Sequence, residues 1–183
     1  MDYISRYESP LGPMLLAAEE TGLTGVWFEG QKYFARGLGT GSREREIPVL
    51  TASKVWLDAY FAGKAPEMGL PLRFSGTAFQ TAVWRMLSQI PYGQTVTYGQ
   101  LAARLAKELG LPRMSAQAVG SAVGHNPISV IVPCHRVVGS SGSLTGYAGG
   151  MERKIALLKL EGGYRNSFYV PRRAARKEAL WQS

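Results

Sequence analysis

At Gly76 the hydrophobic pattern of the chain changes period, so no single layer of one element type can satisfy both halves. Before it, Tyr3 to Ser9, Met14 to Ala18 and Gly22 to Phe28 read as short strands. A turn over Pro10-Leu11-Gly12-Pro13 joins the first two, and Leu70 to Phe74 reads as one more strand. Gly37 to Arg45, rich in Gly, Ser and charge, reads as a loop, and Val49, Leu50, Val55, Trp56, Ala59 and Tyr60 fall at helical spacing from Pro48 to Ala62. After it, Phe79, Val83, Trp84, Leu87 and Ile90 repeat with a helical period that Pro91-Tyr92-Gly93 ends. Thr97 and Gln100 form a capping box for a second helix with Leu101, Ala102, Leu105 and Leu109 as its buried stripe, and Ser115 to Val123 makes a third. A last helix covers Glu152 to Leu160, with Ile155, Leu158 and Leu160 toward the core. The expectation is an α+β chain with a small antiparallel sheet and helix over residues 1–76, a helical domain over 77–164, and a basic tail over 165–183.

Charge follows the same division. Of 21 Lys+Arg and 13 Asp+Glu, residues 1–76 hold 8 basic and 9 acidic side chains, 77–164 hold 8 and 3, and 165–183 hold 5 and 1. A polyanionic partner is therefore expected to meet the second half, because Lys and Arg supply phosphate neutralisation. In the tail, Arg172, Arg173, Arg176 and Lys177 either track phosphate or keep a loose end solvated. A hydrophobic content of 45% excludes a disordered chain, and the single cysteine, Cys134, excludes a disulfide framework or a Cys-rich zinc site. No run reaches the roughly 18 apolar residues that cross a bilayer, and Met1 to Arg6 lacks a basic leader, so a cytoplasmic protein without membrane contact is expected.

Two helices and a short break have the outline of a helix-turn-helix, an outline that helical hairpins without a ligand share. The third helix adds a reason to favour nucleic acid: Ala116, Ala118, Gly120, Ser121 and Ala122 let a backbone approach a narrow groove closely, although tight helix packing asks for the same residues. Gln117 is its one long polar side chain.

The chemistry centres on Pro133-Cys134-His135-Arg136, preceded by Asn126-Pro127 and the apolar run Ile128 to Val132, which reads as a buried strand. A lone cysteine is most often an inert core residue. Here His135 follows it directly, and Arg136 adds positive charge expected to lower the thiol pKa. In extended backbone Cys134 and His135 point to opposite faces, so contact requires a turn at Pro133 or a bridging water. His135 also needs an orienting carboxylate; after Gly76 the acidic residues are Glu108, Glu152, Glu161 and Glu178, and Glu161, at the end of the last helix, is best placed.

With these residues in view the sequence resembles the O6-alkylguanine-DNA alkyltransferases, also called methylated-DNA-protein-cysteine methyltransferases, of bacterial type. The resemblance rests on Pro133 to Arg136, Asn126-Pro127, Gly142 to Gly150 and Ile90 to Tyr98, is strong over residues 76–163, and extends weakly to Ser9-Pro10-Leu11-Gly12. It implies a ribonuclease H-like N-terminal fold and a winged-helix-like C-terminal domain. It implies a repair protein that flips O6-alkylguanine, and O4-alkylthymine, out of double-stranded DNA through the minor groove; the lesion itself is the alkyl donor, so no metal or cofactor is expected, and a monomer is the default expectation. Cys134 is then the nucleophile that keeps the alkyl group, His135 oriented by Glu161 takes its proton through a water, Asn126 holds the turn, and Tyr98 gives a proton to the guanine. The carbonyls of Cys134 and Val137, with Tyr147 and the Ala148 N–H, are expected to line the base pocket. Thr97, Gly99, Ala116, Gln117, Ala118, Gly120, Arg136 and Ser140 are expected to meet DNA. Gln117 stands where many members place an arginine, which lowers the charge inserted into the duplex. Two other readings stay open on the sequence: a DNA-binding module that only senses lesions, and a cysteine hydrolase using Cys134 and His135.

Overall fold

The structure, a computed structural model, describes residues 1–172. Strands β1 (Tyr3–Ser9) and β2 (Gly12–Glu19) form an antiparallel hairpin, and β3 (Gly22–Phe28) extends it as a meander. The hairpin turn is tight because Ser9 Oγ donates to the Gly12 carbonyl at 2.6 Å and accepts from the Leu11 N–H at 3.2 Å. Gly12 closes it at φ +111°, where a side chain would be strained.

Two expectations change here. The loop expected over Gly37 to Arg45 ends in a short strand, β4 (Arg43–Glu44), which pairs parallel to β1 and makes the sheet order β3-β2-β1-β4. The strand expected over Leu70 to Phe74 reduces to one bridge, in which the Leu23 N–H donates to the Pro71 carbonyl and the Arg73 N–H to the Leu23 carbonyl, both at 2.8 Å. Pro71 has no N–H with which to continue a ladder. Helix α1 (Pro48–Phe61) lies across the sheet and buries Leu50, Leu57 and Tyr60.

The second half starts with a capping box that the sequence reading overlooked: Thr77 and Gln80 exchange hydrogen bonds at the start of α2 (Ala78–Leu87). After β5 (Val96–Thr97), helix α3 (Tyr98–Glu108) begins in the expected box. Thr97 Oγ1 accepts the Gln100 N–H at 3.1 Å, and Gln100 Oε1 accepts the Thr97 N–H at 2.8 Å. Its buried stripe is Leu101, Ala102, Leu105 and Ala106; Leu109, expected in that stripe, is exposed because the helix has ended before it. Ser115 caps α4 (Ala116–Gly124), which packs on α2 and α3, and Trp84 Nε1 donates to the Ala122 carbonyl at 2.9 Å. Helices α3 and α4 with the turn between them form the helix-turn-helix.

Beyond α4, β6 (Val137–Val138) pairs parallel to β5, and α5 (Met151–Leu160) closes the domain. Its buried face is Met151, Lys154, Leu157 and Leu158, so the apolar stripe is shifted from the expected one and Ile155 and Leu160 are only half-buried. The tail expected from 165 begins as packed structure. Phe168 is buried against Val138, Leu144, Met151 and Leu158, and the Leu144 N–H donates to the Tyr169 carbonyl at 2.8 Å. Arg173, Arg176 and Lys177 lie outside the described residues.

One continuous apolar cluster joins the halves, running from Leu16, Phe28, Leu57 and Tyr60 through Trp84, Leu101 and Val123 to Val132 and Val137. The free edge of β3 adds backbone bonds to it. The Val26 N–H donates to the Pro127 carbonyl and the Ser129 N–H to the Val26 carbonyl, both at 2.9 Å. Among the described residues no helix is long and apolar enough to cross a membrane.

Candidate active site

The run Ile128 to Val132, expected as a strand, is a buried turn. Pro127 and Pro133 bracket it, and the Asn126 amide closes it by donating to the carbonyls of Ile128 (3.2 Å) and Val132 (2.8 Å) while its Oδ1 accepts the Ile128 N–H (3.0 Å). Val130 sits inside at φ +70°, a conformation that costs a β-branched residue about 1–3 kcal/mol. The segment pairs with the sheet only through the single Ile128 bridge to Val26 of β3, and it is apolar because the turn is set in the core.

From this turn Cys134–Arg136 emerges as one 3₁₀ turn, with the Arg136 N–H donating to the Pro133 carbonyl at 3.0 Å. Three residues per turn place neighbouring side chains about 120° apart, which removes the opposite-face difficulty that extended backbone posed. Cys134 is 6% exposed, and Asn126 Nδ2 donates to its Sγ at 3.1 Å. Burial pushes the thiol pKa up, while the Asn126 donation and the field of the Lys154 ammonium act against the rise.

His135 and Glu161 meet as expected. Nε2 lies 2.6 Å from Glu161 Oε1, and both side chains are fully buried. Glu161 caps the C-terminus of α5, a poor place for an anion beside the helix dipole, and Arg136 supplies the reason it is stable there. The guanidinium holds the carboxylate in a fork, Nε to Oε2 at 2.8 Å and Nη2 to Oε1 at 3.0 Å, and Nη1 donates to the Ile90 carbonyl. The Gly93 N–H adds a bond to Oε2 at 3.2 Å. Gly93 has φ +73°, and a Cβ there would lie 2.8 Å from the Glu161 carbonyl oxygen, so only glycine fits. Burial opposes the carboxylate charge, but the His135 and Arg136 donors outweigh it and hold Glu161 well below the ordinary carboxylate range. Burial lowers the His135 pKa, so the imidazole is neutral at pH 7. Among the described residues Nδ1 of that ring has no hydrogen-bond partner.

Arg136, expected at the DNA surface and as the cation that lowers the thiol pKa, does neither. It is 8% exposed and engaged by Glu161, and the cation whose field reaches the thiol is Lys154. The sequence reading missed Lys154, whose fully buried Nζ donates to the carbonyls of Val137 (2.6 Å) and Thr145 (2.9 Å). Its place in the apolar stripe of α5 was the available signal. Also missed was Tyr60, which reaches from α1 to donate to Glu161 Oε1 at 2.6 Å. No local motif marks it.

The base-pocket residues are close to one another but not all open. Tyr98 OH donates to the Thr145 carbonyl at 3.0 Å, and burial with the neighbouring Cys134 pushes its pKa up to about 12. Tyr147 is buried, edge-on to His135 with ring centroids 6.4 Å apart, and its OH has no partner among the described residues. Val137 is fully buried, and its carbonyl already accepts from Lys154. Tyr147 and Ala148 line a hollow of about 300 Å³ together with Gly120, Gly124, His125 and Tyr33. On the outer face Gly99, Ala116, Gln117, Ala118 and Ser140 are exposed, and Thr97 and Gly120 are half-buried. Gly120 backs onto Tyr98: a Cβ there would lie 3.5 Å from the ring.

A neutral imidazole fixed by an ionised carboxylate beside a buried thiol, behind a helix-turn-helix, defines a protein that uses cysteine as a nucleophile toward a partner that the helices engage. The ribonuclease-like domain of 6-O-methylguanine DNA methyltransferase matches residues 3–74, and the DNA binding domain of the same description matches residues 78–163. A methylated-DNA-protein-cysteine methyltransferase of Methanosarcina acetivorans is 47% identical over 161 residues, covering 87% of this chain and 98% of the relative. One of Mycobacterium bovis is 45% identical over 157 residues, covering 84% and 88%. Among solved structures, Mycobacterium tuberculosis OGT in complex with DNA superposes with a TM-score of 0.76 at 42% identity, covering 87% of this chain and 92% of that one. The chain belongs to the 6-O-methylguanine DNA methyltransferase family.

Proposed function

We propose that this chain repairs double-stranded DNA as a methylated-DNA-protein-cysteine methyltransferase, moving an alkyl group from O6 of guanine to Cys134 Sγ. One observation carries the reading: the only thiol of the chain accepts from the Asn126 amide and directly precedes the His135 that pairs with Glu161, in a domain whose helix α4 presents small side chains outward. A thiol 6% exposed cannot meet a base that stays stacked, so the nucleotide is extruded from the minor groove side into the hollow beside Tyr147. Gln117 occupies the space that the flipped base leaves, and residues 1–76 and 77–164 act as supporting and DNA-binding units. A reducing cytoplasm keeps Cys134 a thiol.

Transfer is an in-line displacement. Burial keeps the thiol protonated at rest, so its proton must leave as it attacks, passing through a bridging water to Nδ1 of neutral His135. The C–S bond forms as the C–O6 bond breaks, and the departing guanine takes a proton from Tyr98, whose raised pKa keeps the phenol protonated at pH 7. The imidazolium proton returns to the phenolate through solvent. A thioether is not displaced again, so each molecule acts once.

The test is intact-mass measurement after mixing the full chain with a duplex oligonucleotide carrying O6-methylguanine. The expected result is one methyl on the peptide holding Cys134 and none in Cys134→Ser. More than one methyl removed per protein points to a hydrolase, and tight binding with unchanged mass points to a lesion sensor; either result overturns the reading.

A further inference from the structure

The cradle around Glu161 receives a side chain from the other half of the chain. Its two oxygens accept from Arg136, His135, the Gly93 N–H and Tyr60, and the last and His135 Nε2 share Oε1, each at 2.6 Å. Tyr60 is fully buried in α1, stacked on Trp56 with centroids 5.4 Å apart and edge-on to Phe61 and Tyr92. Burial and the adjacent carboxylate raise its pKa, so the phenol is always a donor there.

We propose that Tyr60 is a positioning residue for alkyl transfer: its phenol pins Glu161 Oε1, so that His135 keeps its hydrogen on Nε2 and presents Nδ1 to the proton of Cys134. The proposal rests on the alkyl-transfer reading above. A hydrogen on Nδ1 instead would set the bare Nε2 against a carboxylate oxygen at 2.6 Å, and the pinned oxygen cannot turn away from that contact. The phenol also shares the negative charge of Oε1. The groups around His135 are Glu161 and Lys154 from α5, Arg136 and Cys134 from the 3₁₀ turn, Tyr60 from α1 and Tyr147 from the loop before α5, and of these the carboxylate favours an imidazolium. By donating to that carboxylate, Tyr60 weakens its pull and keeps the imidazole free to accept a proton at neutral pH.

Tyr60→Phe deletes the donor and keeps the ring. Single-turnover methyl transfer from the O6-methylguanine duplex, followed across pH, is expected to fall about tenfold at its plateau. The midpoint of its rising limb is expected to move to higher pH, because a less compensated Glu161 makes His135 easier to protonate, and DNA affinity should be unchanged. Trp56→Phe, which disturbs the same packing and keeps the phenol, should lower Tm without moving that limb. A Tyr60→Phe profile that overlays the wild type, or a plateau loss that Trp56→Phe reproduces with no shift of the limb, overturns the proposal. Nitrogen NMR of isotope-labelled histidine gives a second test that needs no variant: hydrogen on Nε2 of His135 is expected, and hydrogen on Nδ1 overturns it. A wild type that moves no methyl while its Nε2 carries the hydrogen overturns the reaction reading instead.

Discussion

Lys154 is the residue whose chemistry departs furthest from its type. Fully buried, it has its pKa pulled down from 10.5 to about 8 by desolvation, against the Cys134 charge that favours the ammonium. As pH falls from 10.5, the unfolded chain binds this proton first, so folding stability drops until about pH 8 and then levels, by up to about 3 kcal/mol. Urea unfolding of wild type and Lys154→Met at pH 8 and pH 10 checks this: the wild type should gain stability relative to the variant at the higher pH. Lys154 also shows where sequence reading stops. The grouping of Cys134, His135 and Glu161 was legible because a thiol, an imidazole and a carboxylate are recognisable by type and by their few alternatives. The roles of Arg136 and Lys154 were not, since both are cations near the thiol and only three-dimensional placement shows which one faces Glu161 and which faces Cys134.

At the scale of elements, helices with caps were readable and the turn before the thiol was not. Thr97-x-x-Gln100 announces α3, yet an apolar five-residue run can be a buried strand or a buried turn, and periodicity cannot separate the two. What decides is Asn126, one side chain bonding to two carbonyls, one N–H and a sulfur. Asn126→Ala removes all four; the Ile128 and Val132 carbonyls keep the Val132 and Cys134 N–H groups, but the buried Ile128 N–H is left unpaired at about 1–3 kcal/mol. The expected outcome is a loss of about 2–4 kcal/mol in urea unfolding together with slower methyl transfer, since the turn that aims Sγ loosens. Full wild-type stability in that variant would show that the prolines alone hold the turn. The strand expected at Leu70 failed for the opposite reason: its composition suits a sheet, but Pro71 interrupts the donor row.

For the whole molecule the formal +8 of the sequence divides further in the fold. Arg136 and Lys154 are buried, and Arg153 is half-buried over Phe28 with its Nε on the Leu11 carbonyl, which leaves Arg85, Arg104, Lys107, Arg113 and Lys159 exposed among the basic residues of 77–164. The outward charge available to DNA is thus smaller than composition suggested, and the residues after 172 matter more. Removing residues 173–183 deletes Arg173, Arg176 and Lys177 but keeps Phe168 in its cluster. If these three cations reach phosphate, the slope of log affinity against log salt should become shallower by about 3, at roughly 0.9 per contact. An unchanged slope would show that they stay clear of the duplex. The parallel pairing of Val96 with Val137 and Thr97 with Val138 sets how load travels through the protein. Thr97 caps α3, and Val137 directly follows the turn that bears Cys134. A force applied to α3 therefore reaches the turn that bears Cys134 through a ladder two residues long, a short rod between helix and thiol.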